Sequence, residues 1–212
     1  MNTTRQSGIS LVEILVTLAI IAVLASVAAP NLQSLIEKNK VHSTMDEFAN
    51  SLYRVRSEAA KRGFHVSMCA SNAAKTDCDN SVATDFSDGF TNGWIIFTDY
   101  DANGELGAYN LFFDTTGDGA ANATEEILFV SDTDPNSKYV VKSTSADADT
   151  GRMIRYRSDG LLDGTLNRGY VVTEKGSDVQ LAKISIARTG RIRSCAGDTV
   201  SCSCVAIGAA CD

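Results

Sequence analysis

Hydrophobic and polar positions follow three regimes along this chain. Residues 14–36 carry no charge at all. Such a run is long enough for a helix to cross a hydrocarbon core, which takes roughly 20 apolar residues. Around Pro30 and beyond, the pattern opens into a helical period. Leu35, Ile36, Met45, Phe48, Ala49, Leu52, Val55 and Ala59 recur at steps of three and four, and Lys38, Asp46, Glu47, Asn50, Arg54 and Lys61 take the other faces. The spacing predicts an amphipathic helix that stops near Gly63, because glycine accepts the left-handed turn that ends helices. Residues 9–62 as one helix would run about 80 Å at about 1.5 Å per residue. Pro30 has no N–H and clashes with the preceding turn, so a kink or a local opening is expected there.

From Phe64 the period changes to two. Phe64, Val66, Met68 and Ala70 alternate with His65, Ser67 and Cys69, which reads as a strand. Residues 71–92 are polar and Asp-rich, hence loop. Residues 94–97 form a short apolar run typical of a buried strand, and 111–113, 127–130, 139–141, 153–157, 169–173 and 181–188 read as further strands. Thr189-Gly190 turns the last of these into Arg191-Ile-Arg193, a hairpin. The expected head is a twisted antiparallel sheet laid on the end of the helix. No internal repeat or long linker divides it.

Composition narrows the classes. The 212 residues suit one soluble domain plus an anchor, and 44% hydrophobic residues suffice for a core. Two prolines and sixteen glycines argue against a low-complexity chain. The net charge of -7 is uneven. Residues 65–151 hold three basic and fifteen acidic residues, a balance of -12, whereas residues 152–193 hold nine basic and four acidic, a balance of +5. The acidic middle disfavours a polyanion; the basic later part suits one locally.

The N-terminal run contains one puzzle. Glu13 stands almost at its start, where an ionised side chain costs at least a few kcal/mol and needs a functional reason. A removable secretory signal cut after Ala29, with Val27 also small, does not explain an acid in its apolar core. A plain membrane anchor does not explain it either. Arg5-Gln-Ser-Gly-Ile-Ser-Leu-Val-Glu13 resembles a third pattern, the type IV prepilin leader. There a short basic leader ends in glycine, glutamate stands fifth in the mature chain, and proline stands twenty-second. Cutting between Gly8 and Ile9 puts Glu13 fifth and Pro30 twenty-second. Ile9 departs from the pattern, which usually has Phe at the first mature position. The resemblance implies that a membrane aspartyl prepilin peptidase cuts after Gly8 and methylates the Ile9 amine. That buried cation needs a partner, and the Glu13 carboxylate of a neighbouring subunit would supply it.

Three later stretches sharpen the resemblance: Arg56-Ser-Glu-Ala-Ala-Lys-Arg-Gly63, Gly93-Trp-Ile-Ile-Phe-Thr-Asp99 and Ile184-Ser-Ile-Ala-Arg-Thr-Gly-Arg-Ile-Arg193. They are similar to the pseudopilin H and minor pilin group, the GspH/FimT/FimU-like proteins. The implied fold is α+β and type IV pilin-like: a long N-terminal helix, membrane-spanning in its first half, packed on an antiparallel β-sheet head. The implied divisions are a leader at 1–8, a transmembrane and filament-core half-helix at 9–30 and an amphipathic half at 31–63. A β-rich head at 64–194 and a Cys-rich tail at 195–212 follow. The implied role is to initiate or cap a type IV pilus, or a type II secretion pseudopilus as minor pseudopilin H. Implied partners are other minor and major pilins or pseudopilins, the prepilin peptidase and the bacterial inner membrane. The head would face the periplasm or stand near a filament tip.

The six cysteines fall into two groups, Cys69 and Cys78, then Cys195, Cys202, Cys204 and Cys211. An even count in an exported chain reads as disulfides. Cys69 with Cys78 is the expected pair, and the last four admit three pairings. A zinc site is disfavoured because Cys-x6-Cys-x-Cys-x6-Cys lacks Cys-x2-Cys knuckles. Asp114, Thr116, Asp118, Asn122 and Glu125 fall at the ligand positions of a twelve-residue calcium loop, with Gly119 at its sharp turn. Asp99-Tyr-Asp-Ala-Asn-Gly104 begins in the same way. An Asp/Gly-rich turn between strands is what such residues favour anyway, and calcium is the one cofactor candidate beside it. Arg188, Arg191 and Arg193 at the hairpin could contact successive phosphates, as some members of the resembled group bind DNA through a Gly-Arg-x-Arg tip. Two histidines and no nucleophile, phosphate-loop or His-Glu-x-x-His motif leave no catalytic constellation, and no enzymatic activity is expected.

Overall fold

The structure is a computed structural model. It describes residues 10–79, 89–100, 102, 106, 108–109, 123–134, 136–144, 153–164 and 167–196, without the side chains of 27–31, 108–109, 123–124 and 196. The chain divides into two compact units, residues 1–40 and residues 41–212. One helix, α1 (Leu11–Arg62), runs without a break across Pro30. In the first unit every described side chain of α1 is exposed. Among the described residues no helix is long and apolar enough to cross a membrane. The described part of the uncharged run is interrupted at residues 27–31.

The second unit is the head. Its share of α1 buries Val41, Met45, Phe48, Ala49, Leu52, Val55 and Ala59, the stripe that three- and four-residue spacing predicts. The helix stops where Gly63, at φ +74°, adopts a left-handed turn and donates its N–H to the Ala59 carbonyl. Phe64 then stays outside the following strand, exposed, with its ring 4.8 Å from that of Tyr100.

The strands are β1 (His65–Ala70), β2 (Trp94–Asp99), β3 (Ala108–Tyr109), β4 (Ala123–Thr124), β5 (Ile127–Val130), β6 (Tyr139–Ser143), β7 (Met153–Tyr156), β8 (Arg168–Glu174), β9 (Gln180–Ile186) and β10 (Ile192–Ala196). The single sheet expected from the sequence is instead two four-stranded antiparallel sheets, in the orders β5-β2-β1-β7 and β10-β9-β8-β6, with a separate β3-β4 ribbon. A period of two identifies strands, but the choice of neighbour is a long-range matter. The expected strand at 111–113 lies outside the described residues.

Both sheets contribute to one core with the helix. Phe48 sits at its centre, with ring centroids 5.0 Å from Phe90, 5.2 Å from Trp94 of β2 and 5.2 Å from Tyr170 of β8. Rings at such distances and tilts add about 0.5–1.5 kcal/mol per pair beyond the area they bury. The Trp94 indole N–H is not orphaned: it donates to Ser51 Oγ on α1 at 2.8 Å. A polar tie thus sets the rotation of the helix against the first sheet.

Tyr170 is fully buried, and that burial pushes its phenol up to about 12, with Arg168 opposing the shift. The unfolded phenol ionises near about 10. Above that pH the folded state keeps a proton that the unfolded state has lost. Stability from this group is therefore complete below pH ~10 and falls as the pH rises toward ~12. Tyr170→Phe is expected to flatten that alkaline fall, read from urea unfolding on both sides of the window. An unchanged alkaline slope in the variant would count against this assignment.

Candidate functional site

Two surfaces follow from these elements. The first is the N-terminal stretch of α1. Gly8 and Ile9 lie outside the described residues. Glu13 sits in the first turn of the helix, and its N–H donates to the Ser10 carbonyl at 3.0 Å. A carboxylate at a helix start is favoured by the unpaired N–H groups there. The turns that follow present Leu11, Val12, Leu15, Val16, Leu18, Ile21, Val23 and Leu24, each more than half exposed. Thr17 and Ser26 turn their hydroxyls back onto the carbonyls of Ile14 and Val23 at 2.8 and 2.7 Å. Their polar atoms are thereby satisfied within the helix, as an apolar surrounding demands. An apolar surface of this extent on a folded chain marks a place for lipid or for other helices. Pro30 lies within α1, and its side chain is outside the description.

The second surface is the β9–β10 turn in the head. The Ala187 N–H donates to Arg191 O and the Gly190 N–H to Ala187 O, both at 2.8 Å. Arg191 therefore belongs to the turn rather than to the strand, while Arg193 lies in β10. Arg188 and Arg191 are exposed and Arg193 is half-buried. The Arg188 N–H donates to Asn167 Oδ1 at 2.9 Å, and Arg188 O accepts from the Leu162 N–H at 3.1 Å.

What holds this turn is a residue the sequence reading did not single out. Arg56 of α1 donates from Nη1 to Gly190 O at 2.9 Å and from Nη2 to Thr189 O at 3.3 Å. Gly190 has φ +77°, and a Cβ there would stand 2.3 Å from Gly160 O and 3.0 Å from Arg56 Nε. Glycine is thus required for backbone angle and for space. Buried Tyr156 lies close enough for Arg56 to oppose the upward push that burial gives its phenol. The available signal was a half-buried arginine about two turns along the helix from Phe48. Nothing local names its partner 134 residues away.

Only part of the acidic stretches lies within the described residues. Asp114, Thr116, Asp118 and Asn122 lie outside the described residues. Glu125 is buried, and its Oε1 accepts the Tyr100 N–H at 3.0 Å. Asp99 is fully buried, accepts Ser67 Oγ–H at 2.6 Å and faces Arg155 Nη1 at 3.3 Å. Arg155 also pairs with Asp163 at 2.7 Å and donates to Ala102 O. Asp99 therefore ties three strand-bearing segments together. Among the described residues no group of His, Cys, Asp or Glu is arranged to hold a metal ion.

Cys69 and Cys78 are bonded to each other. Their loop docks through Lys75, whose Nζ donates to Ser131 O at 3.2 Å and Thr133 O at 3.0 Å. Burial, and then Asp132, push the neighbouring Glu47 carboxyl above its usual range against the pull of Lys75. Cys195 is also disulfide-bonded; Cys202, Cys204 and Cys211 lie outside the described residues.

Comparison with known proteins gives two family matches. The family described as type II transport protein GspH matches residues 44–190, and the prokaryotic N-terminal methylation motif matches residues 3–29. No curated protein matches significantly. Among solved structures, the chain is similar to the type IV minor pilin FimU of Pseudomonas aeruginosa in two crystal forms. In the first the identity is 19%, over 75% of this chain and 90% of that one, with a TM-score of 0.44. In the second it is 19%, over 72% and 90%, with a TM-score of 0.41.

Replacing Arg56 tests the hold on the turn. Arg56→Ala is expected to lower stability by about 1–3 kcal/mol, because two carbonyls lose a charged donor. Arg56→Lys is expected to recover only part, since an ammonium does not reproduce a planar fork. Denaturant unfolding of the three proteins checks both. A loss for Arg56→Ala within the ~0.5 kcal/mol typical of surface changes would contradict it.

Proposed function

Because the chain belongs to the GspH family of type II transport proteins and carries the prokaryotic N-terminal methylation motif, we propose that it initiates or caps a type IV pilus. In coarser terms it is a minor type IV pilin or pseudopilin. The finer reading has three steps. Prepilin peptidase cuts between Gly8 and Ile9 and the Ile9 amine is methylated. The exposed apolar turns of α1 anchor the subunit in the inner membrane and then pack among the helices of other pilins. Glu13 neutralises the terminal amine of the adjacent subunit, which a charge leaving water requires. This is the role of a structural subunit, with the head presented outward.

The observation that carries the reading is the register of the leader. A methylation motif at residues 3–29 coincides with Glu13 in the first turn of a helix whose described apolar side chains are all exposed. Mass analysis of the membrane-bound form tests it. The expected polypeptide begins at Ile9 with one added methyl group. A chain retaining residues 1–8, or one lacking residues 1–29, would refute it. Deleting the gene separates the two filament types: lost piliation with intact secretion fits the pilus, and the reverse outcome fits a type II secretion pseudopilus.

One observation favours DNA capture as an added task. Arg188 and Arg191 are exposed on a turn that Arg56 holds in place, within a region whose charge balance is positive. Fixed cations spaced along a turn suit a phosphate backbone. A gel shift with the mature chain in detergent is expected to show salt-sensitive binding that Arg191→Ala plus Arg193→Ala abolishes. Undiminished binding by the double variant would remove the site.

A further inference from the structure

Two turns of the head are built alike. In each, the N–H of the first residue donates to the carbonyl four residues on, and the N–H of the fourth, a glycine, donates back to the carbonyl of the first. One is Arg157-Ser-Asp-Gly-Leu161, with both bonds at 2.9 Å. The other is the β9–β10 turn, Ala187-Arg-Thr-Gly-Arg191, with both at 2.8 Å. Gly160 and Gly190 take φ +75° and +77°, the left-handed angle that the fourth place of such a turn demands. The two turns lie against each other. The Leu162 N–H donates to Arg188 O at 3.1 Å. A Cβ on Gly190 would run into Gly160 O, and Cβ atoms on Gly190 and Gly160 would stand 3.0 and 3.5 Å from Arg56 Nε. The two glycines thus let the main chains touch, and Arg56 backs both.

The side chains on this pair are unevenly charged: three arginines against one carboxylate. Arg157, Arg188 and Arg191 are all exposed. Among the described residues only Arg157 of the three has a carboxylate partner, with its Nη2 3.1 Å from Asp159 Oδ2. That carboxylate is itself fixed, because Asp159 Oδ1 accepts the Leu161 N–H at 3.0 Å. The two side chains are 50% and 43% exposed, and an ion pair so open to water is weak. Its guanidinium therefore exchanges a carboxylate for a phosphate at small cost. Arg193, by contrast, is half-buried within β10.

Resting on the reading that the β9–β10 turn binds DNA, we propose that the phosphate track crosses both turns, with Arg157 as a further phosphate contact beside Arg188 and Arg191 and with Asp159 as its internal competitor. Long arginine side chains on two touching turns reach neighbouring phosphates, and the backing by Arg56 keeps the turns in place. Binding replaces the Arg157–Asp159 pair with Arg157–phosphate. Asp159 lowers affinity by holding that guanidinium and by repelling the phosphates. Contacts of this kind carry no base information, so the track is blind to sequence.

The test measures binding of the mature chain in detergent to a mixed-sequence duplex over a salt series. Arg157→Ala is expected to weaken binding about 3- to 10-fold and to flatten the slope of log affinity on log salt by about 0.9, the share of one phosphate. Asp159→Asn keeps an acceptor for the Leu161 N–H and removes the competing charge. It is expected to tighten binding about 2- to 5-fold, and that gain is expected to vanish in the Arg157→Ala background. Affinity and slope unchanged by Arg157→Ala, with binding still abolished by Arg191→Ala plus Arg193→Ala, overturn the proposal and leave the DNA reading standing. A gain from Asp159→Asn that persists without Arg157 overturns the assigned competition. A wild-type chain without salt-sensitive binding removes the DNA reading itself, and this inference with it.

Discussion

Phe48 is the side chain on which the head depends. It touches an aromatic residue of each four-stranded sheet, Trp94 in one and Tyr170 in the other. Neither sheet alone has a second apolar layer to cover it. The helix face from Val41 to Ala59 supplies that layer for both at once. An apolar stripe one helix wide thus determines that the head is two sheets around a shared wall. Truncating a ring at such a junction leaves a cavity bordered by three elements, and so costs more than its transfer energy alone.

Polar ties then specify the arrangement that burial only permits. Ser51 fixes the Trp94 indole, Arg54 reaches Leu128 O, and Arg56 holds Thr189 and Gly190. Three residues within two turns, Ser51 and Arg54 on one side of the apolar stripe and Arg56 on the other, thus reach β2, β5 and the β9–β10 turn. Arg62 adds Glu126 at 2.8 Å while its bond to Glu58 holds that carboxyl below its usual range. These contacts are directional where the apolar stripe is not, so they choose one rotation of the helix among several of similar burial. They also link the stretches 56–63, 93–99 and 184–193: Arg56 bonds Thr189 and Gly190 within the last, and Arg62 bonds Glu126, whose carbonyl accepts the Thr98 N–H of the second.

The same helix carries two unlike tasks. In the head its apolar side chains are covered by sheet. In the first unit the described apolar side chains are exposed, and residues 14–36 carry no charge. A surface of that kind acquires a defined state only among lipids or other helices. A lone carboxylate at its start is then a specifying element, costly without a cationic partner and useful with one. For a minor pilin or pseudopilin this separates anchoring and assembly from whatever the head presents.

Local pattern alone determined a good deal. The N-terminal methylation motif over residues 3–29, the helix ending at Gly63, the buried strand at 94–97 and the tight turn at Thr189-Gly190 were all legible, because each rests on neighbours a few residues apart. A positive φ at Gly63 and at Gly190 is a local demand that glycine meets by itself. The division into two sheets, the Asp99–Ser67–Arg155 tie and the hold of Arg56 on the turn were decided only by the tertiary structure. In each the partners stand tens of residues apart or more, and a side chain's period reports which way it points but not what it meets. Hence Asp99 read as the first ligand of a loop in sequence, and proved to be a fully buried acceptor between strands.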